Sequence, residues 1–396
     1  ELSTLPTSRS SGLCIQSWKA LDQYSTGPMV KAPKDSTDMS GIRISMLAPC
    51  LGKFGGIETF CLTLIEDLVK RGASVRLLRK RVAGFVSDGS IERNEKEIWN
   101  SWTTNDKARF TSEYIDRGNS RIKEAIEQCD LVHLHNPMVE GVWWAMKRET
   151  PCVMTIYNWR RKGFHPRLLA WRWAVARADR RWYISEFVWD SWEKRRKEGS
   201  ARLPVVSRMP KGEIPASERR GFLFLGRWIP NKGIRVLLKA YKRLSPDPQQ
   251  WPLILVGDGP LRPKVERLIR EYNVRGVELP GFVSEEKRQI YTRRTKWMVT
   301  PPHTREDLGL TPLEARSVGV PCIVSTDGGV TETGGPYALR CIPGDVESLY
   351  ECMRTAINMD ESTYEEKCRQ TKVELEKYVR PLDEYAQEYL NLIEER

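Results

Sequence analysis

The feature that most constrains this chain is a repeated local grammar: a short apolar run, a glycine-bearing loop, then a segment of helical period. Residues 42–48 alternate and then turn apolar before Pro49, the pattern of a strand. A loop holding Gly52, Gly55 and Gly56 follows, and apolar side chains at 57, 60, 61, 64, 65, 68 and 69 then share one helical face. Arg71 and Gly72 close the helix, and 74–78 is the next strand. A strand returned to a strand through a helix opens a parallel α/β domain.

The grammar recurs. Residues 130–135 form a strand whose polar end leaves the sheet at Asn136 and Pro137, and 152–156 form another, followed by Tyr157, Asn158, Trp159 and Arg160. A second unit starts near 221, with buried strands at 222–226, 253–256, 277–279, 297–300 and 322–325 and helical patterns between them. Residues 81–128 form a charged, Trp-containing excursion that the pattern does not place. The hinge falls at 204–217, where three prolines and Gly212 cluster. The expected organisation is a polar extension at 1–40, one Rossmann-like domain at 41–212 and a second at 213–375. A C-terminal helix at 376–396 is able to cross back to the first domain. A length of 396 residues suits two domains.

Composition narrows the setting. No apolar run approaches the ~20 residues of a membrane-spanning helix, and residues 1–40 lack the apolar core of a secretory signal. The chain therefore reads as cytoplasmic, with a peripheral place at the inner membrane face as the variant. The nine cysteines show no C-x-x-C spacing and suit buried thiols in a reducing compartment. His133 and His135, at period two, read as a strand end or as a metal pair. The net charge of +12 admits nucleic acid, an anionic membrane surface or a phosphate-bearing substrate.

Ligands of parallel sheets bind beyond the carboxyl ends of strands, where helix N-termini collect. Gly55 and Gly56 follow the first strand and let backbone approach an anion. In the second domain Arg227 and Lys232 lie in a strand-to-helix loop, the pair of cations that a diphosphate leaving group needs. Asp258 sits in the tight Gly257–Gly259 turn. Glu306 falls in a loop and Glu314 on the helix behind it, bracketing Gly309 and Leu310. Such carboxylates can accept hydrogen bonds from a sugar and from a ribose diol. Gly328, Gly329 and Glu332 follow one more strand.

In this order these residues resemble the retaining glycosyltransferases of family 4, which have the GT-B fold: two doubly wound Rossmann-like domains facing a central cleft. The likeness runs from about 42 to 332. Asp130 to Pro137 is similar to the family's D-x-V-H-x-H-x-P segment, Glu306 and Glu314 to its E-x7-E motif, and Gly328 to Glu332 to its G-G-x-x-E loop. The resemblance implies a nucleotide-diphosphate sugar as co-substrate, with no cofactor and no metal. It puts His135 by the donor sugar, Arg227 and Lys232 on the diphosphate, Glu306 on the sugar hydroxyls and Glu314 on the ribose. The Gly55–Gly56 loop would take donor phosphate, and the backbone at Gly281, Phe282 and Val283 would meet the base. Tyr157, Asn158 and Arg160 fall on the acceptor side, where Tyr157 replaces a histidine common among relatives. The acceptor implied is a glycan, a lipid-linked saccharide or a small molecule. Rival readings are an epimerase or phosphorylase on this fold, or a basic binding protein without activity.

Residues 159–192 interleave arginines with Trp159, Trp171, Trp173 and Trp182. Leu168, Leu169, Trp173 and Val175 fit a packed helix face. The rest reads either as solvated charge or as a surface resting on anionic lipid or gripping a phosphate-bearing acceptor. No nucleic-acid recognition module is present in the sequence, which sets nucleic acid aside as a partner.

Overall fold

The computed structural model describes residues 37–116, 118, 120–161, 163, 165–203, 209–379 and 381–396. Two parallel sheets organise them. The first takes β1 (Arg43–Cys50), β2 (Ser74–Arg81), β3 (Phe110–Ile115), β4 (Leu131–His135), β5 (Cys152–Ile156), β6 (Arg180–Tyr183) and β7 (Ser200–Arg202) in the order β3-β2-β1-β4-β5-β6-β7. The helices around it are α1 (Gly56–Lys70), α2 (Ser90–Asn100), α3 (Thr104–Ala108), α4 (Ser120–Glu127), α5 (Val139–Arg148), α6 (Pro166–Arg177) and α7 (Glu186–Trp192).

The second sheet takes β8 (Arg220–Leu225), β9 (Leu253–Val256), β10 (Val277–Gly281), β11 (Thr295–Thr300), β12 (Cys322–Ser325) and β13 (Leu339–Cys341) in the order β10-β9-β8-β11-β12-β13. Its helices are α8 (Ile234–Leu244), α9 (Arg262–Glu271), α10 (Glu285–Arg294), α11 (Leu310–Ser317), α12 (Val330–Thr333), α13 (Val346–Ile357) and α14 (Glu361–Gln370); α15 (Asp383–Glu394) follows. Both sheets reverse strand order beside their first strand, the switch point where doubly wound folds bind ligands.

Local chemistry accounts for the elements. The central strand β8 is buried at five of its six residues, so it reads as a continuous apolar run rather than an alternation. β1 runs on through Pro49 to Cys50, past the expected end. Pro49 is tolerated because the register with β4 stops at Leu47, leaving only the β2 side to be paired there. The excursion at 81–128 resolves into α2, α3, β3 and α4. Here Arg76 and Arg79 reach Glu113, Glu124 and Glu95, ion pairs that period analysis does not register.

Residues 1–36 of the expected extension, and 204–208 of the expected hinge, lie outside the described residues. Met39 is fully buried, and Thr37 binds Asp383 of α15 through its amide at 3.1 Å and its hydroxyl at 2.7 Å. The last helix belongs to the core of the first sheet. Tyr385, Ala386, Tyr389 and Leu392 are buried with Phe60, His133 and Trp182. Arg180–Glu395 and Arg396–Asp179 ion pairs fasten its end.

Candidate active site

The carboxyl edges of the two sheets face each other. From the first come the loop before α1, the loop after β5 and the start of α7; from the second come the loops after β8, β11 and β12. Asp307, after β11, accepts a hydrogen bond from the Trp159 amide at 2.8 Å and one from Asn158 Nδ2 at 3.1 Å. The Ser185 hydroxyl donates to the Asp307 carbonyl at 2.7 Å. Glu332 accepts from the amides of Glu186 and Phe187 at 3.0 and 2.8 Å, capping the first turn of α7. Burial pushes the Asp307 carboxyl up to about 6, against the two hydrogen bonds that pull it down, and burial also raises Glu332.

Between these contacts lies the charged pair. Lys232 Nζ reaches both oxygens of Glu306 at 2.7 Å, with neither side chain more than a quarter exposed. Gly233, directly after Lys232, has φ 74°, and a Cβ there would sit 1.7 Å from the Pro301 carbonyl. Only glycine allows the β8 loop to press against the end of β11, and that approach brings Lys232 to Glu306. Arg227 is exposed, and its charge acts across the cleft on Glu58 in the first turn of α1. Burial raises the Glu58 carboxyl, and the positive charges of Arg227 and Arg79 partly offset this.

Gly55 caps α1 without a side-chain hydrogen bond, and Gly56 begins the helix opposite Leu310, whose Cδ1 would lie 3.9 Å from a Cβ at Gly56. Gly309, at φ 85°, caps α11. Two helix N-termini, from α1 and α11, thus border the cleft from opposite sheets. Glu314 is buried on α11 and ion-paired to Arg288 of α10, which also holds Glu285 at 2.5 Å. Arg288 escaped sequence reasoning because its partner lies across two elements. Asp258 accepts from the Gly259 amide at 2.7 Å and pairs with Arg262 at 3.1 Å. Phe282 stands 70% exposed at the end of β10, with Val283 half-buried beside it.

His135 is placed differently from the cleft residues. Its ring is fully buried against Phe60, Nδ1 lies 2.8 Å from the Tyr157 hydroxyl, and Nε2 has no partner. Burial pushes its pKa down to about 3. His133 spends both ring nitrogens, on Thr155 Oγ1 at 2.7 Å and the Tyr389 hydroxyl at 2.6 Å, so none is left for a metal. Among the described residues no cluster of three or more His, Cys, Asp or Glu side chains could hold a metal ion.

On the acceptor side Tyr157 is buried, Asn158 bridges Asn136 and Asp307, and Arg160 is fixed to Ser191 through its amide and Nε, both at 2.8 Å. The basic, aromatic stretch at 159–192 divides. Trp182, Trp189 and Arg181 are core, whereas Leu169, expected in the packed face, is 43% exposed. α6 meets the core through Ala174 and Val175, and this rotation turns Leu169 outward.

Two facing doubly wound domains, with loop cations and two helix N-termini at their shared edge, define the GT-B architecture. Residues 54–208 match the model of Glycosyltransferase Family 4, and residues 208–373 match that of Glycosyl transferases group 1. Each of the two domains thus matches a glycosyltransferase domain model, in chain order. It is 28% identical over 240 residues to the uncharacterized glycosyltransferase YqgM of Bacillus subtilis, covering 56% of this chain and 66% of the relative. It is 29% identical over 181 residues to O-antigen chain mannosyltransferase C of Escherichia coli, covering 44% of this chain and 47% of the relative. Both alignments span less than two thirds of the relative's length. The crystal structure of Anabaena HepE in complex with UDP and glucose superposes with a TM-score of 0.70 at 15% identity, over 90% of this chain and 100% of that one. Among the described residues no helix is long and apolar enough to cross a membrane.

Proposed function

We propose that this chain transfers a sugar, with retained anomeric configuration, from a nucleotide-diphosphate sugar to an acceptor glycan or lipid-linked saccharide in polysaccharide synthesis. The observation that carries the reading is the Lys232–Glu306 pair between the N-termini of α1 and α11, with Arg227 at the same edge. When the bond from the anomeric carbon to the diphosphate breaks, negative charge develops on the departing oxygen. Arg227, Lys232 and the amides at Gly56 and Gly309 are the groups to stabilise it, with ~100-fold or more in turnover resting on one such contact. Glu306 accepts the sugar hydroxyls and Glu314 the ribose diol. The acceptor hydroxyl attacks the same face of the sugar, its oxygen bonds to the anomeric carbon, and its proton passes to the departing phosphate. No protein nucleophile and no metal are required. His135, neutral in its buried site, contributes shape and a hydrogen-bonding edge rather than charge. The Escherichia coli relative's name, O-antigen chain mannosyltransferase, supports sugar transfer into a polysaccharide, and the UDP in the HepE complex supports a nucleotide-sugar donor.

The test is thermal stabilisation by a panel of UDP-, GDP- and ADP-sugars on the wild type, Glu306→Ala and Arg227→Ala. A donor at ~100 times its dissociation constant adds about 2.7 kcal/mol. One donor stabilising the wild type and neither variant is the expected result. No stabilisation by any donor would sink the reading, and sugar interconversion without acceptor would replace it with an epimerase.

A further inference from the structure

The outer face of α5 and α6 is unlike the rest of the surface. Val139, Trp143 and Met146 recur at i, i+4 and i+7 on α5 and are 37%, 56% and 41% exposed, and Leu169 on α6 is 43% exposed. Four of the twelve exposed large apolar side chains among the described residues therefore sit on two neighbouring helices. A stripe at this spacing ordinarily faces a core. Here the core is met by the other side of α5, through Gly141, Val142 and Ala145.

Charge surrounds the stripe. The two helices carry Lys147, Arg148, Arg167, Arg172 and Arg177 against one carboxylate, Glu140, which Lys80 holds at 2.9 Å, and Arg148 is itself ion-paired to Glu127 of α4. The ammonium groups of Lys123 and Lys147 each lie 5.4 Å from the Trp144 ring, and the Arg167 guanidinium lies 5.9 Å from Trp171. Exposed apolar side chains on helices that also carry indoles and cations match the boundary between lipid headgroups and acyl chains. A protein partner would have to meet the apolar stripe and also supply carboxylates around it. An anionic bilayer supplies both at once.

We propose that this α5–α6 face docks on an anionic lipid bilayer, with Trp143, Met146 and Leu169 entering the headgroup boundary and Lys147, Arg167, Arg172 and Arg177 meeting lipid phosphates. Both helices start at the carboxyl edge of their sheet, after β4 and β5, so the docked face runs from that edge along the outer side of the first domain. The inference does not depend on the transferase reading.

The experiment is co-sedimentation of the full chain, without donor, with vesicles of phosphatidylcholine alone and of phosphatidylcholine with about a third phosphatidylglycerol. The wild type is expected on the anionic vesicles only, with binding that falls as salt rises. Each arginine removed should lower partitioning about fivefold, so Arg167→Gln with Arg172→Gln loses about 25-fold. Trp143→Ser with Met146→Ser should lose at least about tenfold, with unchanged melting temperatures for both double variants. Lys239→Gln with Lys242→Gln, on α8 of the other domain, should bind as wild type. Absence of binding to anionic vesicles, or equal loss in the α8 variant, overturns the proposal. So does a self-association that Trp143→Ser abolishes in a chain that ignores lipid.

Discussion

Burial acts on Asp307 and on His135 in opposite senses. Asp307 is held up to about 6 in the folded chain against an ordinary 3.8, so between about pH 4 and 6 the folded state keeps a proton that the unfolded state has released. Its contribution to stability falls as pH rises through that window and stays low above it. Asp307→Asn keeps the shape and an acceptor for Trp159 while removing the buried charge. The variant should be more stable than wild type by about 1–3 kcal/mol near neutral pH, with the gap closing near pH 4, as read by denaturant melts across pH. His135, held down to about 3 against an ordinary 6.5, contributes fully above about pH 6.5 and loses that contribution as acid charges the unfolded chain. Neither shift is legible in the sequence. A carboxylate beside Glu306 gives no sign that Trp159, distant in the chain, will cover it.

At the scale of elements, glycines and carboxylates join loops to helices. Gly233→Ala places a Cβ against the Pro301 carbonyl and forces φ 74° on an alanine. The cost should be ~2–4 kcal/mol by thermal or urea denaturation, with donor stabilisation weakened because Lys232 is displaced. Glu332 caps α7 from the opposite domain. Glu332→Ala should cost ~1 kcal/mol and speed hydrogen exchange at the amides of Glu186 and Phe187, leaving amides in β4 and β5 unchanged. The apolar strands and α1 were legible from their own patterns, and α8 and α11 from their places after glycine-bearing loops, since α11 is buried from Pro312 to Arg316 without a period. Strands β3, β6, β7 and β13 were not, since short runs with charged ends such as Arg180–Tyr183 lack a period of their own and form by pairing to a neighbour. Within the candidate site, sequence order alone picked out Lys232 and Glu306, whereas Arg288 on Glu314 and Asp307 on Asn158 needed coordinates.

Across the whole molecule, the C-terminal helix returns to close the first domain's core. Tyr389 stacks on Trp182 at 5.6 Å and hydrogen-bonds His133. Tyr389→Phe should lower stability by ~1–2 kcal/mol through the orphaned His133 nitrogen, whereas truncation before α15 should leave a chain that aggregates, having exposed Phe60 and Trp182. Light scattering with a melting curve separates the two outcomes. The amino-acid sequence by itself determined the two parallel α/β domains, because apolar period and glycine placement are local properties that each segment carries alone. It also placed Arg227, Lys232, Glu306 and Glu314 in loops and helix starts beyond strand ends. Tertiary structure alone decided which charges meet, that His135 is enclosed, and that α5 turns an apolar stripe outward. Burial and pairing depend on what packs against a residue, and those neighbours are set by strand order and domain closure rather than by nearness in the chain.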